Sequence, residues 1–300
     1  MRESRGWVPA PRLIRSRAGS AGTTAVRIAA CAAILLLSAC SALQLGYNSA
    51  DTLLRWRGEQ YFDFQGDQSE AYAARVANLM RWHRANALPD YEKSVRDAAG
   101  RIERGLSRED LVWGYDSVRG HIRTALRAAA GEVAGLLDQL TPAQLENLEL
   151  RFVRDNRNFE KEQLAGTLEE RRAQRVKRSV ERLEDWVGEL SSEQLERVRR
   201  YGARAPMTAE FRDRERTRLQ RGLVEMLKAR EARERLVDFA VHWDRNREPE
   251  FERANRANLE EYFSMLLDLD RMLTPAQRAK AAQRMRELAE DFAMLAREIR

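Results

Sequence analysis

The sequence predicts an all-α protein, an elongated multi-helix bundle with long antiparallel helices, and three observations predict it. Beyond residue 39, the 261 remaining residues contain only 23 valines, isoleucines and threonines, too few β-branched side chains for a sheet protein. Alanine, leucine, glutamate, arginine and glutamine dominate instead, and all are good helix formers. Apolar residues also recur at helical spacing. Val176, Val180, Leu183, Val187 and Leu190 form one stripe, Met285, Leu288, Phe292, Leu295 and Ile299 a second, and Leu145, Leu148, Phe152 and Phe159 a third. Such stripes bury against partner helices while charged faces stay in water. A helix of about 40 residues runs roughly 60 Å, hence the expected elongation.

At the N-terminus, residues 1–39 carry six arginines, one glutamate and no lysine. Ile28 to Leu37 then supply ten uncharged residues, a leader-length apolar run too short to span a bilayer as a helix. Residues 40–50 read as a short tether, and 51–300 as a single helical domain. Its helices are expected near 48–62, 67–87, 90–104, 108–138, 142–189, 192–203, 209–246, 250–271 and 275–299. Proline in a helix interior costs about 3 kcal/mol, so helices should start or stop near Pro89, Pro142, Pro206, Pro249 and Pro275. A break at Gly166 is expected inside the longest segment.

A short element recurs at these starts. Leu140-Thr-Pro-Ala-Gln144 and Leu273-Thr-Pro-Ala-Gln277 are identical, Leu190-Ser-Ser-Glu-Gln194 follows the pattern, and Leu106-Ser-Arg-Glu-Asp110 is a looser copy. Thr141 is the expected N-cap, Pro142 sits where its missing N–H costs nothing, and Gln144 can bond back to the cap. Leu140 with Leu145, Leu190 with Leu195, and Leu106 with Leu111 provide the hydrophobic staple. Arg278 denies it to the last copy.

Three resemblances extend this reading. Leu37-Ser-Ala-Cys40 resembles the lipobox of bacterial lipoproteins. It implies cleavage before Cys40, acylation of that cysteine and attachment to a lipid bilayer. Ser41 is not the aspartate that holds such proteins at the inner membrane, so the periplasmic face of the outer membrane is expected. The repeated pentapeptide resembles that of the LTxxQ periplasmic stress proteins, which include an ATP-independent chaperone. The lipobox, Tyr47, the stretch from Trp56 to Gln68, Arg81 to Arg84 and Leu88 to Tyr91 resemble an uncharacterised family of proteobacterial lipoproteins.

The net charge of +6 belongs mostly to residues 1–39; the rest has 47 basic against 46 acidic residues. An argument from charge to nucleic acid therefore fails. Cys31 lies in the apolar run and Cys40 in the lipobox, so no cysteine is left for a disulfide. His83, His121 and His242 show no metal-ligand spacing, and no phosphate loop or nucleophile elbow appears. No metal, cofactor or catalytic residue is expected. The candidate binding residues are Trp82, His83 and Arg84, with His242 and Trp243, either lining a groove or packed in the core. Arg197 and Arg200 lead a basic cluster that either meets anionic headgroups or complements a helix end. Asp155 to Asn158 interrupt an apolar stripe and face a polar pocket or solvent. The expected role is non-enzymatic: a membrane-anchored binding or scaffold protein of the cell envelope, with envelope proteins as partners. An LTxxQ-like chaperone of unfolded clients is the alternative.

Overall fold

The structure, a computed structural model, describes residues 43–298. Cys31, Cys40 and Ile299 lie outside the described residues. A helical stretch over 43–48 leads into α1 (Ala50–Phe62). There follow α2 (Asp67–Trp82), α3 (Leu88–Arg104), α4 (Arg108–Leu137), α5 (Pro142–Phe159) and α6 (Leu168–Val187). The chain continues through α7 (Ser192–Arg204), α8 (Ala209–Ala229), α9 (Ala232–Val241), α10 (Pro249–Met272) and α11 (Pro275–Arg297). No strand occurs among the described residues, so the fold is all-α.

Two expected bounds change, at Pro89 and inside 209–246, while the expected break at Gly166 occurs. At Pro89 the helix does not stop. His83–Ala87 form a π-turn, with the Leu88 N–H bonded back to the His83 carbonyl, and α2 runs through it into α3. The wider turn places the proline in the first turn of a new α-segment, where its missing N–H and bulky ring are tolerated. The predicted helix 142–189 is two helices. It widens into a π-turn at Glu160–Leu164 and breaks where Gly166 takes φ +83°, a conformation that costs glycine least. The predicted helix 209–246 also breaks, at Arg230, whose φ of +58° ends α8. The longest helix is therefore α4, with 30 residues, about 45 Å.

The capping expectation holds at Ser107, Thr141, Ser191 and Thr274, each with its reciprocal bond to the residue three ahead. Thr167 with Glu170 makes a fifth box. The glutamines also do more than cap. Gln194 Nε2 donates to the Met272 carbonyl at 3.1 Å, and Gln277 Nε2 donates to the Glu189 carbonyl at 2.9 Å. The two amides meet at 3.0 and 3.1 Å. The start of α7 and the start of α11 are thus clasped by matching residues about a local pseudo-twofold.

The same clasp occurs where α1 gives way to α2. Gln144 Nε2 donates to the Asp63 carbonyl at 3.0 Å and to Gln68 Oε1 at 2.6 Å, while Gln68 Nε2 reaches the Gln139 carbonyl at 3.4 Å. Phe64-Gln-Gly-Asp-Gln68 therefore stands where a further copy of the motif would stand. Each clasp belongs to its own core. One core gathers Phe64, Leu137, Leu148, Met226, Leu227 and Leu236 from α2, α4, α5, α8 and α9 or the turns beside them. The other gathers Leu190, Val198, Tyr201, Met265 and Leu269, with the Val176 stripe of α6 packed against it.

Candidate functional site

A groove lies along the apolar surface that neither core covers. Helices α3 and α11 pack on each other along a seam of buried alanines, Ala99, Ala281, Ala282 and Ala289. Small residues let the two backbones approach, which turns the larger side chains of both helices, Val95, Ile102, Met285, Leu288 and Phe292, to one side. There they face the N-terminal half of α4 and the middle of α10 across a hollow of about 770 Å³. That volume suits a small-molecule ligand. Val112, Val118 and Ile122 of α4 remain exposed at 38, 58 and 43 %, and the last two edge the groove. A smaller apolar hollow of about 260 Å³, reaching Leu183, Trp186 and Leu190, shares Ile102, Leu106, Tyr262, Leu266 and Met285 with it.

Few charged groups interrupt this lining, and those are paired. The buried Asp110 carboxylate accepts from the Ser107 N–H at 3.0 Å, from Arg104 at 3.1 Å and from Arg101. The Ser107 amide, aided by those arginines, holds the carboxyl down to about 2. Arg101 in turn lies 4.0 Å over the Trp113 ring. Asp270, also buried, accepts from the Leu106 N–H at 3.1 Å and from Arg278 at 2.7 Å, which fixes the turn between α3 and α4 against α10 and α11. Among the described residues no cluster of side chains could hold a metal ion.

One end of the groove is aromatic. Tyr91 packs edge-on against His121 at 4.8 Å, Phe292 at 5.8 Å and His83 at 5.4 Å. His121 Nε2 is bonded to Ser94 Oγ at 2.9 Å. Behind it, Tyr47 Oη lies 2.8 Å from His83 Nδ1. Burial pushes the Tyr47 hydroxyl up to about 12, and burial with the nearby Arg84 charge lowers His83. Arg84 donates to the Asn48 side chain at 2.8 Å and to the Leu295 carbonyl at 3.0 Å.

The sequence candidates are thus dispersed. His83 stands behind the groove's aromatic end, Trp82 packs on its ring, and Arg84 ties residues 47 and 48 to α11. His242 and Trp243 lie elsewhere, at the end of α9. His242 is bonded to Asp238 at 2.8 Å, Trp243 lies under Arg123, and Asp244 pairs with Arg119 and Arg123. Arg197 is not available to headgroups. It is buried and pairs with Asp268 at 2.5 Å and Glu261 at 3.4 Å, joining α7 to α10, whereas Arg200 is exposed. Asn156 meets Gln220 at 2.8 Å and accepts from Arg216 at 3.0 Å, so this interruption of the stripe clasps α5 to α8. Sequence reasoning missed the groove itself. The available signal was α4, whose apolar residues from Leu111 to Ile122 occupy more of its circumference than one partner helix can cover.

Residues 60–242 match the sequence profile of a family of unknown function (DUF6279). No curated protein and no solved structure matches the chain.

Proposed function

The chain belongs to DUF6279, a family of unknown function, so its role has to be read from its own geometry, and we propose a non-catalytic binding protein anchored in the cell envelope. The observation that carries this reading is the apolar groove, whose lining is mostly aliphatic and aromatic and whose two charged side chains, Arg101 and Asp110, are paired with each other. A site of that kind takes up apolar matter by burial. The arginine-rich leader, the apolar run and Cys40 support attachment by acyl chains, and Ser41 supports the outer membrane. No helix among the described residues is long and apolar enough to cross a membrane.

A neutral apolar dye, N-phenyl-1-naphthylamine, tests the groove. It should bind with enhanced, blue-shifted emission, and Ile122→Asp should weaken that binding. If the native protein gives no enhancement, the reading is wrong. The anchor is tested separately: Cys40→Ala should release the protein from membranes and abolish palmitate labelling, and retention on the membrane would refute it.

A second reading draws on the exposure of Val112, Val118 and Ile122 along one helix. Exposed apolar side chains at and beyond the groove's edge suit extended apolar segments of unfolded clients as well as a small ligand. A chaperone of this kind should suppress aggregation of a denatured client near one-to-one stoichiometry without ATP. No suppression would remove it.

A further inference from the structure

Helix α6 carries two parallel stripes. The apolar one, Val176, Val180, Leu183 and Val187, packs on the second core. Beside it run Arg171, Arg175, Arg178 and Arg182, with the same spacing of four, three and four. This second stripe lines a polar hollow of about 820 Å³ that Arg212 of α8 also enters. Arg171 is paired with Glu210 at 2.5 Å. Among the described residues, Arg175, Arg178, Arg182 and Arg212 make no ion pair.

Like charges one turn apart repel, and Arg212 is disfavoured by burial and by the Arg178 charge. Burial likewise disfavours Arg175, which donates to the Ala205 carbonyl at 2.7 Å and the Pro206 carbonyl at 3.1 Å. The Nε of Arg171 is buried without a partner. Of the two acidic residues in the lining, Glu162 and Glu170, the latter is bonded to the Thr167 N–H at 2.7 Å as part of its capping box.

The cationic hollow adjoins the apolar groove. Tyr262 lines the polar hollow and both apolar ones, so the three adjoin at this residue. The Tyr201 ring packs against it at 5.7 Å, and Arg175 lies 5.8 Å from the Tyr201 ring. A chain in the groove that extends past Tyr262 would meet the hollow in which Arg175, Arg178, Arg182 and Arg212 lack acidic partners.

We propose that the site binds an anionic amphiphile, a single acyl chain in the groove of α3, α4, α10 and α11 with its phosphate or carboxylate head on the arginines of α6 and α8. The proposal rests on the groove-binding reading above and adds the class of ligand. Arginine is the side chain suited to the head, since its planar fork donates two hydrogen bonds to a phosphate or carboxylate. The apolar lining supplies affinity for the chain without regard to charge. Head and tail should therefore be separable by mutation.

The test uses the purified full-length chain held in an amphipol and a 16-carbon lysophosphatidate bearing an environment-sensitive dye at its chain end. Unlabelled 16-carbon lysophosphatidate, palmitate and the zwitterionic 16-carbon lysophosphatidylcholine compete against it below their micelle concentrations. Both anions should compete, and the zwitterion should be about tenfold weaker, the worth of a charge-assisted hydrogen bond. Competition by the phosphate alone would assign a phosphate head; competition by both would assign either anion. Arg178→Glu with Arg182→Glu should remove the preference while leaving chain binding and helicity intact, because both side chains are exposed. Ile122→Asp should weaken all three competitors. Equal competition by the zwitterion, or a preference that survives the charge reversal, overturns the proposal and leaves the groove reading standing. No binding of the dye-labelled probe overturns both.

Discussion

Gln194 is 1 % exposed and satisfies four partners at once: the Ser191 N–H, the Met272 carbonyl and both polar atoms of the Gln277 amide. Truncation would remove an N-cap partner and leave a buried carbonyl and a buried amide short of bonds. Cap loss costs about 1 kcal/mol and an unsatisfied buried polar group about 1–3 kcal/mol. Gln194→Ala should therefore destabilise by about 2–4 kcal/mol in urea unfolding, more than a cap alone explains. Gln277→Ala should cost less, since its position is more exposed. The double variant should fall short of the sum by about 1 kcal/mol, the coupling expected of directly bonded side chains. Strict additivity would mean that the two amides do not act as a pair. From sequence the capping half of this role was legible, because it is local. The clasp was not, because it joins residues 83 positions apart and the partner of Gln144 is Gln68, in a stretch where only the last letter of the motif survives.

Helix existence was legible from composition and spacing, and the starts were legible wherever a cap and a proline coincide, as at Thr141 and Thr274. Interior breaks were harder, since they depend on single φ values and on relief of one clash. Gly166 was visible as a glycine, Arg230 as nothing at all, and the π-turn before Pro89 converts an expected stop into a continuous rod. The packing of elements was legible only in part. The Val176 stripe does pack, yet its closest approach to α7 is set by a residue outside any stripe. A Cβ on Gly202 would lie 2.2 Å from Val176 Cγ2. The absence of a side chain there allows α6 and α7 to touch at the second core, and overpacking of such a contact costs about 1–3 kcal/mol. Gly202→Ala should be destabilising by that amount although alanine is the better helix former. Val176→Ala should restore most of the loss in the double variant, while destabilising by itself. If Gly202→Ala is neutral or stabilising in thermal unfolding, the two helices are not held by this contact.

At the scale of the whole molecule, the groove's aromatic end reaches residues 44–48. Apart from Leu266, which also packs on the second core, the groove's side chains belong to neither core, which is why stripe-by-stripe reading, which assigns every apolar face a partner helix, could not foresee the groove. Its aromatic end passes through Tyr91 and His83 to Tyr47, and Gln44 is bonded to Asp291 of α11 at 3.2 Å. Residues 44–48 are thus fastened to the body by Gln44, Tyr47 and Asn48, and two of those fastenings titrate: the Asp291 carboxyl under Gln44, which burial raises, and His83 under Tyr47. His83 accepts from or donates to Tyr47 as a neutral ring, and burial together with the Arg84 charge lowers its pKa below the ordinary value of about 6.5. A group whose folded pKa is depressed binds fewer protons in the folded than in the unfolded state. Its contribution to stability is therefore complete above about pH 6.5 and is lost as the pH falls through the folded value. Protonated His83 would also present a second positive charge beside Arg84. On acidification the fastening should loosen before the cores do, because Gln194, Gln277 and the apolar contacts do not titrate. Amide hydrogen exchange of residues 44–50 should accelerate between pH 7 and pH 5 relative to amides of α5 and α7. His83→Phe keeps an aromatic ring for Tyr91 but has no proton to gain. It should exchange faster than the native protein at pH 7, having lost the Tyr47 bond, and should show a smaller acid dependence, the remainder coming from Asp291 under Gln44. If exchange in 44–50, relative to α5 and α7, is flat from pH 7 to pH 5 in the native protein, or accelerates with acid equally in His83→Phe, the histidine does not control how the N-terminal segment is held.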